Sequence, residues 1–146
     1  MLNPDGLPSA EIGFGKVAAL VAYVQQHHIV LFTESRTPPA GYVREFLPDY
    51  RLYHTQVAQR GVKGQGVSVF VHKVLWDSVH LCAAERSPDR VWIKVRGEVC
   101  GFPGWLHLCA CYLRPQSAEY QVEEILTDFS TLSAEVEIYR QQGEII

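Results

Sequence analysis

Two hydrophobic periodicities divide this chain into elements. Val17, Leu20, Val21 and Val24 recur at helical spacing, which predicts an amphipathic helix over roughly Phe14 to Gln26. Ile29-Val30-Leu31-Phe32 is a short apolar run of the kind that forms a buried strand, and it delivers Glu34 at its carboxyl end. Pro38-Pro39 then breaks the chain. A short helix around Gly41 to Phe46 and a strand over Tyr50 to Thr55 are expected next. Residues 60–66 hold three glycines, an arginine and a lysine, a flexible hairpin connection. Val67, Val69 and Val71 alternate with Ser68, Phe70 and His72 at strand period. Val74 to Ala84 reads as a further strand, Ser87-Pro88-Asp89 as a turn cluster, and Val91 to Arg96 as a second alternating strand. Leu106 to Leu113 is apolar on both faces, the mark of a central strand covered on both sides. The three strands ending there suggest an antiparallel meander.

A long helix follows. Val122, Ile125, Leu126, Phe129, Leu132, Val136 and Tyr139 fall on one stripe, with Ser117 as a candidate N-cap and Gly143 where a C-terminal cap glycine would stand. Glu144-Ile145-Ile146 then begins a strand. The expected core joins Val17, Leu20, Val24, Val69, Val71, Ile93, Val95, Leu108, Ala110, Leu126 and Phe129. An exposed apolar patch is expected on one face of the sheet.

Composition narrows the class. The 146 residues can form one domain with a real core, and 47% hydrophobic with 20% charged residues is ordinary for a globular protein. A formal net charge of −3 counts against tight non-specific nucleic-acid binding, although an acidic protein can still carry a basic cleft. Cys82, Cys100, Cys109 and Cys111 lack metal-ligand spacing, and i,i+2 neighbours on a strand rarely bridge. They read as buried thiols of an intracellular protein, with the nucleus open as a location. No charged region followed by an apolar run opens the chain, and no apolar run approaches a membrane span, so neither a signal peptide nor a transmembrane segment is expected.

The chemistry begins at Glu34. A carboxylate at the end of a strand sits where open α/β sheets place their sites, and burying it requires a cation or hydrogen-bonding partner. On the residues alone, Glu34 is either a metal ligand or a solvated loop acid. His27-His28 falls at a helix end, where a histidine interacts favourably with the helix dipole.

Three segments occur in order: Leu2-Asn3-Pro4-Asp5-Gly6-Leu7, RGVKGQGVSVFV over Arg60 to Val71, and LHLCACYLRPQ over Leu106 to Gln116. Together with Thr33-Glu34-Ser35-Arg36 they resemble the endonuclease/exonuclease/phosphatase superfamily. The Asn-x-x-Gly-Leu opening, Thr-Glu-Ser-Arg and Cys-Tyr-Leu-x-Pro are most similar to the endonucleases of LINE-type retrotransposons. The resemblance implies an α/β (α+β) fold. It would be part of a four-layered DNase-like sandwich, with a mixed, mostly antiparallel sheet and helices on one face. It implies a Mg²⁺-dependent (or Mn²⁺-dependent) phosphodiesterase acting on nucleic acid, DNA in a retroelement setting.

By the same resemblance Glu34 matches the metal-binding glutamate, while Asn3 and Tyr112 match residues that orient the phosphate. Arg36, Arg114 and Gln116 are candidate nucleic-acid contacts, as are Arg60 and Lys63, each of which reads equally as a solvated rim residue. Arg114 departs from the relatives, which often carry a small residue or proline there. The family's Gly-Asp-x-Asn and Ser-Asp-His segments do not occur in this sequence. Residues 1–146 are therefore expected to be the amino-terminal half of one domain, inactive without its carboxyl-terminal half. A non-catalytic nucleic-acid-binding or interaction half-domain is the alternative, and a chance resemblance on an unrelated α/β domain is a third reading.

Overall fold

The computed structural model describes residues 14–35, 38, 40–55, 66–82, 87, 89–117 and 121–145. Helix α1 spans Phe14–Val24 and leads into strand β1, Ile29–Thr33. A five-residue helix α2, Tyr42–Phe46, precedes β2, Tyr50–His54, which pairs with β3, Val67–His72. A 3₁₀ segment, Lys73–Ser78, leads to β4, Val79–Leu81, then to β5, Arg90–Arg96, and β6, Trp105–Cys111. Helix α3, Val122–Arg140, ends the run of β6 and returns the chain to β7, Gly143–Ile145.

These strands form two sheets rather than one. The first has the order β1-β3-β2, all antiparallel; the second has the order β4-β5-β6-β7, in which β4 to β6 form the expected meander and β7 joins parallel to β6. Parallel pairing requires a crossover, and α3 supplies it. β7 closes on β6 because residue 143 is glycine, where a Cβ would overlap the Trp105 carbonyl.

Alternation assigns each strand face. Val67, Val69 and Val71 of β3 point toward Val79, Val91, Ile93, Val95, Leu106 and Ala110, forming the core between the sheets. The other face of the first sheet, with Val30, Phe32 and Phe70, packs against Leu20 and Val24 of α1 and Tyr42 beside α2. The outer face of the second sheet carries α3. The result is four layers, helix–sheet–sheet–helix, with each sheet helix-covered on one face. This is the α/β class expected, but two short sheets share the strands that the sequence reading assigned to one.

Two details differ from the sequence pattern. Residues 73–78 wind into 3₁₀ turns instead of a strand: His72 accepts a hydrogen bond from the Val74 N–H at 3.2 Å and the Trp76 indole donates to the Val71 carbonyl at 2.9 Å, so local side-chain bonds outcompete strand pairing. Helix α3 is also rotated from its apolar stripe and starts later than Ser117, its N-cap being Gln121 in a capping box with Glu124. Its buried residues are Glu135 and Tyr139. Glu135 receives hydrogen bonds from Arg90 Nε at 3.0 Å and the Trp92 indole at 2.8 Å, and Tyr139 packs on Trp92 and stacks on His107. Those contacts fix the rotation, and they leave Leu126 60% and Phe129 47% exposed, against expectation. The exposed apolar surface thus lies on α3, with Val122 beside them, and not on a sheet face. The remaining expected core is buried, except that Leu108 is only partly so.

His107 is fully buried, and neither ring nitrogen has a hydrogen-bond partner in good geometry among the described residues. Burial pushes its pKa below the ordinary 6.5; the Glu144 backbone partly offsets this and Lys94 adds to it. The unfolded chain therefore takes up a proton on His107 that the folded chain refuses. Stability from this site is complete above about pH 6.5 and declines as pH falls below that value. Thermal melts between pH 7.5 and 5 should show this loss, and His107→Phe, which keeps a ring against Tyr139, should reduce it. An unchanged pH dependence in that variant would assign the effect elsewhere.

Candidate functional site

The site forms where both sheets end on the same side of the molecule. β1 terminates at Thr33, and the next residue, Glu34, adopts φ 56°, a left-handed backbone that non-glycine residues rarely accept. The chain holds it there from both sides. Thr33 is buried, the Ser35 N–H donates to the Gly66 carbonyl at 3.1 Å, and the Ser35 and Ser68 hydroxyls share a buried hydrogen bond of 2.7 Å. Strain persists only where surrounding structure overdetermines it, and such positions gather at functional sites.

Tyr112 follows β6 directly, and its N–H donates to the Asp89 carbonyl at 2.8 Å, extending the β5–β6 ladder by one rung. The Glu34 carboxylate lies within hydrogen-bonding reach of the Tyr112 hydroxyl. Two residues 78 positions apart in the chain, from different sheets, thus meet at one point. Burial, the bond to Glu34 and its negative charge push the Tyr112 phenol up to about 12. At neutral pH the hydroxyl therefore keeps its proton and acts as a donor.

Asp89 completes the cluster. Only 5% exposed, it is paired with Arg114, whose Nη2 lies 2.8 Å from Oδ2. Its Oδ1 is buried without a hydrogen-bond partner among the described residues. Burial raises the Asp89 pKa, while the hydrogen bond and charge of Arg114 oppose the rise. The pair places a carboxylate behind Tyr112 and ties Arg114 down. Sequence reasoning took Asp89 for a turn residue, because Ser87-Pro88-Asp89 carries a strong turn signal that conceals the carboxylate at the start of β5.

Of the residues expected at the site, Glu34 and Tyr112 come together. Arg114 is beside them, but its guanidinium is engaged by Asp89 rather than turned wholly outward. Gln116 is exposed beyond β6. Asn3, Arg36, Arg60 and Lys63 lie outside the described residues.

Among the described residues no three His, Cys, Asp or Glu side chains gather as a metal cage. The donors present are hard oxygens, a carboxylate and a phenol. Mg²⁺ dehydrates reluctantly and is held by one or two carboxylates with several waters, so Glu34 fits such a site where a cage metal such as zinc would not.

No family model matches the chain, and no curated protein matches it. Solved structures share its DNase-like fold. TDP2 (tyrosyl-DNA phosphodiesterase 2) from Caenorhabditis elegans is similar with a TM-score of 0.59 and 16% identity, over 97% of this chain and 42% of that one. A humanized D. rerio TDP2 carrying 14 mutations is similar with a TM-score of 0.54 and 13% identity, over 93% of this chain and 54% of that one. The chain thus spans about half the length of these structures. No helix among the described residues is long and apolar enough to cross a membrane.

Proposed function

We propose that this chain carries the metal- and phosphate-binding part of a Mg²⁺-dependent phosphodiesterase acting on DNA, of retroelement origin. The convergence of Glu34, held in a strained backbone, with the Tyr112 hydroxyl is the observation that supports this reading most strongly. The DNase-like fold shared with the TDP2 structures supports it further. Glu34 would hold the metal, with Mn²⁺ able to replace Mg²⁺; Asn3 would assist at the phosphate. A bound divalent ion would supply charge to polarise the phosphate and stabilise the leaving oxygen.

The chain's own residues perform the positioning. Tyr112 keeps its phenolic proton and donates it in a hydrogen bond to a non-bridging phosphate oxygen. Glu34 fixes the Tyr112 hydroxyl until substrate arrives. Asp89 and Arg114 hold the strand end on which Tyr112 stands. Arg36 and Gln116 lie where a nucleic-acid backbone would pass. Water activation requires a general base within hydrogen-bond reach. We assign that base to a carboxyl-terminal half-domain partner, because the Gly-Asp-x-Asn and Ser-Asp-His segments do not occur in this sequence.

The test is a cleavage assay on duplex DNA with Mg²⁺. Residues 1–146 alone should not exceed the background of their Glu34→Ala variant. Joined to the carboxyl-terminal half of a TDP2 structure, they should cleave, and the gain should require Glu34. If the joined protein binds DNA without cutting it, the non-catalytic binding reading takes precedence. Mg²⁺-dependent cutting by the bare chain, lost in Glu34→Ala, would show that the base lies within these residues.

A further inference from the structure

Cys109 and Cys111 project from the same face of β6, the face covered by α3, and neither is used by the site described above. Their surroundings differ. Cys111 stands directly opposite Arg90 in the β5–β6 ladder, whereas Cys109 stands opposite Trp92 and feels the Glu135 carboxylate. Both are partly accessible, and the two thiols lie within hydrogen-bonding reach of each other. One thiol of such a pair can donate its S–H to the other's sulfur, and the charges decide which. The Arg90 cation favours the anion at Cys111; the Glu135 anion disfavours it at Cys109. The Cys109 S–H first, and Arg90 second, hold the Cys111 thiol below its ordinary range against the opposing effect of burial, while Cys109 is pushed up.

We propose that Cys111 is a modification site, a nucleophilic thiolate open to oxidation by hydrogen peroxide, with Cys109 as its hydrogen-bond donor. In the reaction the Cys111 sulfur attacks one peroxide oxygen. An S–O bond forms, the O–O bond breaks, and hydroxide departs to take a solvent proton and become water. The sulfur loses two electrons and the peroxide gains them, leaving Cys111 as a sulfenic acid. The product does not close onto Cys109, because i,i+2 neighbours on an extended strand hold their Cβ atoms too far apart for a disulfide without backbone movement. The modified residue adjoins Tyr112 and faces Arg90, so oxidation alters the surroundings of the strand end that carries the phosphate-facing hydroxyl.

The full chain, treated with dilute peroxide at neutral pH in the presence of dimedone and mapped by peptide mass spectrometry, tests this. Cys100 is more exposed than Cys111 and serves as an internal control. Cys111 should acquire the sulfenic-acid adduct at least about tenfold faster than Cys100, since the thiolate and not the thiol is the nucleophile. Cys109→Ala should slow the Cys111 adduct severalfold and leave Cys100 unchanged, while Cys109→Ser, which retains a donor, should largely preserve it. Equal or faster labelling of Cys100 in the unmodified chain, or a Cys111 rate indifferent to Cys109→Ala, would overturn the proposal.

Discussion

Replacing Glu135 with alanine should destabilise the fold by about 3–5 kcal/mol, the usual effect of stranding one partner of a buried ion pair. The Arg90 and Glu135 side chains are only 6% and 9% exposed. Removing the carboxylate leaves the Arg90 guanidinium without its partner and takes away the acceptor of the Trp92 indole. Domains of this size have about 5–15 kcal/mol in total, so the variant should be near the limit of folding, with a melting temperature lowered by roughly 10 °C or more. Glu135→Gln should lose less, because an amide oxygen can still accept from Trp92. The double change Arg90→Met with Glu135→Leu should recover much of the loss, since well-packed apolar replacements of buried ion pairs are often neutral. Urea denaturation of the four proteins checks this. A Glu135→Ala variant as stable as the parent would mean that α3 is held by its aromatic contacts alone.

The second large effect falls on activity and separates it from stability. In the joined protein described above, Glu34→Ala should reduce DNA cleavage on the order of 10²–10³-fold, the scale of several kcal/mol of metal-borne charge stabilisation. Tyr112→Phe should cost less, roughly tenfold to a hundredfold, since it removes one hydrogen-bond donor at the phosphate. Glu34→Gly should abolish cleavage while leaving stability equal or higher by up to about 1 kcal/mol, because glycine accepts the left-handed backbone that glutamate accepts only under strain. A site residue chosen for stability would behave the opposite way. Parallel kinetics and denaturation of the three variants would expose that case.

Much of the framework was legible because of how burial imprints on periodicity. β3 and β5 alternate strictly, since one face of each lies between the sheets and the other under a helix, and each expected boundary falls within a residue or two of the observed one. β6 reads as central because both faces are covered. The division into two sheets was not legible, because alternation reveals that a face is buried but not against what. The orientation of α3 was hidden for a related reason. Its anchor is a glutamate, and a buried glutamate looks like a surface residue until the arginine opposite it is placed. In the site, Glu34 could be found from its position at a strand end, and Tyr112 from a motif. Asp89 could not, since a turn sequence describes it just as well.

The account rests on Glu34 and Tyr112 forming one oxygen-lined metal and phosphate site. Mn²⁺ titrated into isotope-labelled residues 1–146 and followed by NMR line broadening tests that claim most directly, because the paramagnetic ion broadens only nearby nuclei and needs no catalysis. Broadening should centre on the backbone of residues 33–35 and on Tyr112, reach Asp89 more weakly, be competed by Mg²⁺, and vanish in Glu34→Gln. Broadening centred elsewhere, or unchanged in Glu34→Gln, would contradict the assignment of this site.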